Sequence, residues 1–394
     1  MATEGRTAAP SATPVESLEG AGFVHVLSRA DGDALAASGL LARALADRET
    51  PYQVSVDRTV ADRTDRLDGR EPAADDVTVA VGGVDADVTR LDDGDRPATL
   101  AALEVATDLG ATPDHVLALA GLVAAGVEPG AGESEWLLET ARERGRLERR
   151  PGVAVPTADP VDGIAHSTRL RGPWSGDPDA ARESLADLGV DLADPTALDE
   201  EDHRTIGSAV ALDAIGDDAP PVAAETIGRA LRPCAIDGPF VTVGGYADVL
   251  EATARTEPGT GAALAMGHDA SEPALAAWRE HGRRAHAALE DASTGRYDGL
   301  FVVGIDDGPV ETVARLAAGY RSPEPVVLVI ADGEAAIRTR GDEPLTGTIE
   351  AVARELEDAG IEPIGYDCGR RRGYLRFDPD VDESTIVQFV RERL

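Results

Sequence analysis

The chain has 394 residues, with 73 acidic side chains against 37 basic ones and a formal net charge of −36. Its 42% hydrophobic content, with apolar runs such as Gly299 to Ile305 and Pro325 to Ile330, excludes a disordered acidic polymer. No stretch approaches the roughly 20 apolar residues of a membrane helix, and Cys234 and Cys368 are too far apart in sequence for a disulfide framework or a zinc ribbon. All the basic side chains are arginine, and the acids are spread along the whole sequence. That pattern predicts a hydrated surface adapted to concentrated salt, where screening falls to about 3 Å at 1 M, in a cytoplasmic protein of a salt-loving organism.

Residues 1–20 read as a disordered arm, since Met1 to Ser17 is polar, rich in Ala, Thr and Pro, and has no apolar core of signal-peptide length. Residues 21–150 alternate β-branched runs with Ala/Leu-rich amphipathic stretches. Strands are expected at Phe23 to Ser28, Tyr52 to Val56, Val77 to Val81 and, weakly, Val88 to Leu91, with helices at Ala34 to Ala46, Ala98 to Leu109 and His115 to Ala125. The alternation predicts an α/β domain with a mostly parallel sheet. Residues 151–265 form a bridging region, rich in Pro, Gly and Asp up to Pro221, with a helix near Pro178 to Leu188. A strand-like run Gly238 to Val243 follows, then Gly244-Gly245 and a helix from Ala247 to Arg255. Residues 266–394 form a smaller C-terminal α/β domain that opens with an amphipathic segment, Glu272 to Glu290. Its strands are expected at Leu300 to Ile305, Val326 to Ile330, Ala335 to Arg338 and Tyr374 to Phe377. Helices at Val310 to Ala318, Thr348 to Asp358 and Glu383 to Leu394 cover them.

The first strand runs straight into Leu27-Ser-Arg-Ala-Asp-Gly-Asp-Ala-Leu-Ala-Ala-Ser38 and a helix. Carboxylates at the carboxyl end of a strand, beside a helix N-terminus, stand where α/β sheets bind ligands. Asp31-Gly32-Asp33 is also an ordinary turn with a capping residue. The segment resembles the first motif of the DHH phosphoesterase superfamily, His-x-(Asn/Asp)-x-Asp-Gly followed by a small-residue helix. His166-Ser-Thr-Arg-Leu-Arg-Gly-Pro-Trp-Ser-Gly176, Gly238 through Arg255, and the tail from Asp298 to Leu394 are similar, in the same order, to the linking segment, the strand and helix, and the DHH-associated domain of archaeal RecJ-like proteins.

The resemblance implies a two-domain fold and, in active members, two divalent ions, usually manganese, held by Asp and His from four motifs for metal-assisted phosphodiester hydrolysis. Carried over by position, the first motif keeps Asp31, but its histidine falls on Leu27 and its Asn/Asp on Arg29. The second-motif aspartate falls at Gly82-Gly83, with Asp85 and Asp87 close behind. The Asp-His-His signature is absent from Val88 to Asp95, where Asp92 and Asp93 are its remnant, and the fourth-motif aspartate falls on about Ala125. The metal site therefore reads as dismantled, with no cofactor expected. An active form would use Mn2+ or Mg2+ on Asp31, Asp33, Asp92 and Asp93. The seven histidines form no ligand set; His281 and His286 lie five apart on one helix, a spacing that does not place them side by side.

In the C-terminal domain the resemblance implies a Gly-Gly-Gly-His-type loop that approaches substrate phosphates. The matching stretch is Gly365 to Gly373, in which Arg370 takes the histidine's place and Gly369 and Gly373 bracket Arg370, Arg371 and Arg372. Guanidinium groups on such a loop suit phosphate. Arg338 and Arg340 lie where the family has a substrate-contacting strand end, while Tyr366 and Tyr374 could stack on bases or belong to the core. The leading expectation is a catalytically degenerate RecJ-like protein, a nucleic-acid-binding or scaffold subunit in DNA replication and repair or RNA processing. Its implied partners are single-stranded DNA or RNA, and GINS-like replication proteins or a ribonuclease complex, without a membrane. The alternatives are an active single-strand exonuclease or phosphodiesterase, and a small-molecule binding protein using the interdomain cleft.

Overall fold

The computed structural model describes residues 14–91, 96–216, 219–341, 344–361 and 364–394. The first sheet has four parallel strands, β1 (Phe23–Arg29), β2 (Tyr52–Asp57), β3 (Asp76–Val81) and β4 (Thr89–Arg90), in the order β2-β1-β3-β4. β1 is buried along six of its seven residues, so its sequence shows a continuous run rather than alternation, as a parallel strand covered on both faces should. The helix Gly32–Asp47 leaves its end and lies in the core, enclosed by the helices Ala98–Asp108, His115–Ala124 and Val243–Thr256.

A short antiparallel ribbon, β5 (Leu147–Arg149) and β6 (Cys234–Ile236), ties the two ends of the bridging region together. The second sheet contains β7 (Ser293–Tyr297), β8 (Leu300–Gly304), β9 (Val326–Ala331), β10 (Glu334–Thr339), β11 (Gly365–Gly369) and β12 (Arg372–Arg376), in the order β11-β12-β10-β9-β8-β7. β8 and β9 pair parallel and the other neighbours antiparallel. One face packs on the bridging helices and on Val310–Tyr320, the other on Thr346–Asp358 and Glu383–Arg391. The result is the α/β plan of two sheet domains joined by helices that the sequence predicts.

Several local expectations need correction. Within the span read as an arm, Pro14–Glu19 is a helix that buries Leu18. Gly238 to Val243 is not a strand: only Thr242 makes an isolated bridge, to Ala235, and its side chain caps the helix Val243–Thr256 by accepting from Gly245 N at 2.9 Å. The apolar character of that run goes instead to Phe240, buried 5.1 Å from the Tyr246 ring. Glycine is required at 245, because a Cβ there would come within 2.2 Å of the Val155 and Pro156 backbone. Finally, Gly365 to Gly373 is not an open loop but the tight hairpin β11–β12, with Gly369 paired to Arg372.

Candidate functional site

The end of β1 meets the C-terminal sheet across the gap between the lobes. Asp31 caps the helix Gly32–Asp47, its Oδ1 accepting from Ala34 N at 2.8 Å. Its Oδ2 accepts from Arg29 Nε at 2.5 Å and from Arg372 Nη2, which reaches over from the first residue of β12. Burial raises the energy of this carboxylate, yet the Arg29 and Arg372 guanidiniums hold its pKa well below the usual range. Glu251 shares the same helix N-terminus: its Oε2 accepts from Gly32 N at 2.6 Å.

From Glu251 the network continues. Arg255 pairs with Glu251 at 2.7 Å and with Glu311 at 3.0 Å. Glu311 also takes Arg58 at 3.1 Å and Arg372 at 3.4 Å, and Arg58 reaches Glu334 at 2.9 Å. Against burial, which would raise it, Arg255, Arg58 and Arg372 bring the Glu311 pKa down to about 2. A second tie lies alongside: Arg63, with a side chain 0% exposed, pairs with Asp367 at 2.5 Å and donates to the carbonyls of Gly83 and Asp57 at 2.7 and 2.9 Å. Sequence reading missed Glu251, Arg255, Glu311, Arg58, Arg63 and Asp367. Charges on helices, as for Glu251, Arg255, Glu311 and Arg63, look alike whether they face solvent or another lobe, and Arg58 in a bend and Asp367 on an edge strand carry no pattern at all.

The two carboxylates of Asp31-Gly32-Asp33 do not converge. Asp33 caps a different helix, Ala98–Asp108, accepting from Ala98 N at 2.9 Å, Thr99 N at 3.0 Å and Thr99 Oγ1 at 2.6 Å. Burial and the Asp31 charge push its pKa up to about 6 despite the Thr99 bonds. Leu27 lies in the core, Gly83 serves Arg63 with its carbonyl, Asp85 and Asp87 are exposed, and Ala125 ends the helix His115–Ala124. Asp92 and Asp93 lie outside the described residues. His25, His281 and His286 are buried on Ser55 Oγ, Thr312 Oγ1 and Ser167 O at 2.9–3.0 Å. Among the described residues no three His, Cys, Asp or Glu side chains gather as a metal site. Among the described residues the donor set does not fit a pair of divalent cations, which need about six oxygen or imidazole donors each. Asp31, the carboxylate kept from the first motif, is already enclosed by two fixed positive charges.

The arginines singled out for nucleic acid separate into two groups. Arg370 and Arg371 are exposed at the hairpin tip. Arg372 turns inward to Asp31, and Gly373 is buried under Ile349. Arg338 is mostly buried, and burial followed by Arg315 lowers its pKa to about 9. Arg340 donates to the carbonyls of Ala318, Ser322 and Glu324 at 2.6–3.2 Å, closing the turn before β9. Tyr374 is a core residue, bonded to Glu334 at 2.8 Å beneath the Arg58 guanidinium, and Tyr366 packs at the edge of the C-terminal core. Beside the hairpin tip runs a groove of about 960 Å³ whose walls include Arg29, Arg90, Arg96 and Arg370 together with Glu104, Asp108 and Glu350, Glu104 holding Arg96 at 2.6 Å.

Residues 292–392 match the family described as "Uncharacterized protein rrnAC1427, C-terminal domain". The whole chain is 47% identical over 398 aligned residues to protein rrnAC1427 of Haloarcula marismortui, covering 100% of both chains. The chain belongs to the rrnAC1427 family. Among solved structures, CDC45 of Entamoeba histolytica superposes with a TM-score of 0.62 over 96% of each chain at 8% identity. RecJ of Thermus thermophilus gives a TM-score of 0.48 at 14% identity over 96% of this chain, which spans 50% of that protein. These likenesses concern the fold alone: the chain shares the overall two-lobed α/β architecture of that CDC45 structure.

Proposed function

We propose that the chain is a RecJ-like DHH-fold protein that does not hydrolyse phosphodiesters and acts as a nucleic-acid-binding or scaffold subunit in DNA replication and repair or in RNA processing. The observation that carries this reading is the Asp31 carboxylate clasped by Arg29 and Arg372. Divalent metals in such a site supply positive charge together with an exchangeable water that can attack phosphorus. Guanidinium groups supply the charge without the water. The overall likeness to CDC45 is compatible with a scaffold built on this fold. Strand phosphates would meet the exposed Arg370 and Arg371 and, in the groove beside them, Arg90. Protein partners of the GINS type or a ribonuclease complex, in the cytoplasm, complete the reading.

The test is incubation of the full chain with end-labelled single-stranded DNA and RNA in concentrated KCl with MnCl2. Both strands should remain intact; degradation that disappears in Asp31→Ala would overturn the proposal. In gel-shift titrations, Arg370→Ser with Arg371→Ser should weaken strand binding and flatten its salt dependence by about one unit of slope for each phosphate no longer neutralised. Unchanged binding would remove the hairpin tip from the interface.

A further inference from the structure

A separate cavity of about 480 Å³ opens between the C-terminal end of the helix His115–Ala124, the helix Val222–Ala230 and the helix Val310–Tyr320. It shares no residue with the Asp31 network, and its size falls within the ~300–1,000 Å³ typical of small-molecule sites. Its distinctive wall residue is Arg169. That side chain is mostly buried, and its guanidinium donates to Val123 O at 3.2 Å. Among the described residues, no carboxylate lies within ion-pair distance of it. The backbone around it is fixed, since Tyr320 donates its hydroxyl hydrogen to Arg169 O at 2.9 Å.

The neighbouring charges do not neutralise it. Arg315, also in the wall, lies 3.5 Å from Asp248 and donates to Thr168 Oγ1. Asp248 is already engaged by Ser167, Thr168 and Trp278 at 2.5–3.1 Å. The two wall carboxylates, Glu128 and Glu225, are both taken by Arg229 at 3.3 and 2.6 Å. Arg149 and Arg232 add two further guanidiniums at the rim. Burial and then the proximity of Arg315 lower the Arg169 pKa to about 10, against the opposing pull of Asp248 and Glu251, neither of which makes an ion pair with it. In a chain of net charge −36, such a surplus of positive charge runs against the average. Leu231, Pro233, Val243 and Leu316 give the wall its apolar part.

We propose that this cavity is a binding site for a phosphate monoester of nucleotide size, with the phosphate held by Arg169 and Arg315 and the organic portion against the Leu231, Pro233 and Leu316 wall. Planar guanidinium forks match phosphate oxygens in geometry as well as charge. The site does not depend on whether the protein hydrolyses or binds strands elsewhere. Two sources share this chemistry, a free nucleotide and the terminal phosphate of a strand.

The test is calorimetric titration of the full chain in concentrated KCl with adenosine 5′-monophosphate as probe and adenosine as control. Adenosine 5′-monophosphate should bind and adenosine should bind at least about tenfold more weakly. Arg169→Gln should cost at least about tenfold in affinity, the equivalent of one charge-assisted bond. Should Arg169→Gln fail to fold, Arg232→Ser at the rim serves instead, with an expected several-fold loss at unchanged melting temperature. Absence of nucleotide binding, equal binding of adenosine, or affinity unchanged in the folded variant would overturn the proposal. A 5′-phosphorylated decamer that displaces the nucleotide, where its unphosphorylated counterpart does not, would assign the site to strand ends. Failure of both decamers to displace it would assign the site to free phosphate esters.

Discussion

Asp31 carries its counter-charge in covalent form. Arg29 stands two residues away, but Arg372 comes from 341 residues further along the chain. Removing Arg372 should therefore be costly, because Asp31, 4% exposed, would keep Arg29 alone as its counter-charge. Arg372→Met, similar in volume, is expected to destabilise the protein by about 3–5 kcal/mol in urea unfolding. Asp31→Asn in the same background should be strongly non-additive with it. A loss within about 0.5 kcal/mol would show that the pair does not hold the lobes. That no ligand-type side chain stands at Leu27, Gly82, Gly83 or Ala125 is plain in the sequence, because a motif has an order and each of its places can be checked. What fills the site instead is not. Arg29 looks like one more missing ligand until Asp31 is seen bonded to it, and no spacing rule connects residue 31 to residue 372.

The elements divide by how they bury. Strands β1, β3, β8, β9 and β10 carry β-branched or aliphatic runs and fall close to where the sequence puts them. β7, Ser-Thr-Gly-Arg-Tyr, and β11, Gly-Tyr-Asp-Cys-Gly, were missed; both are edge strands, covered on fewer sides and under little pressure to be apolar. Helix packing also depends on places with no room for a side chain. At Gly282, on the helix Ser271–Glu290, a Cβ would sit 2.0 Å from His166 O, whereas at Gly259 nothing lies within 4 Å. Gly282→Ala should thus destabilise by at least about 1–3 kcal/mol, since the whole helix must shift. Gly259→Ala, in the helix Pro258–Ala265, should be neutral or stabilising by up to about 1 kcal/mol. Thermal melts of the two variants side by side provide the check, and equal melting temperatures would contradict the packing described.

For the molecule as a whole, acid should act through its buried histidines. Burial lowers the pKa of His25 and His286 to about 4 and of His281 to about 3, so the folded state refuses protons that the unfolded chain accepts below about 6.5. Asp33, raised by burial to about 6, works the other way and takes up one proton in the folded state that the unfolded chain would not. The balance of about two protons predicts that stability falls by about 2–3 kcal/mol per pH unit near pH 5 as acid is added. Urea unfolding free energies between pH 7 and 5 would reveal the slope, and a flat or rising profile would be incompatible with it. The tie between Arg63 and Asp367 has a consequence of another kind. Prising the halves apart would take from Arg63 its one carboxylate among the described residues and leave Asp367 with Arg372 alone, so separation and melting should coincide in one calorimetric peak. With that tie closed, a polymer could be laid along the outer groove but not threaded through the seam without melting it.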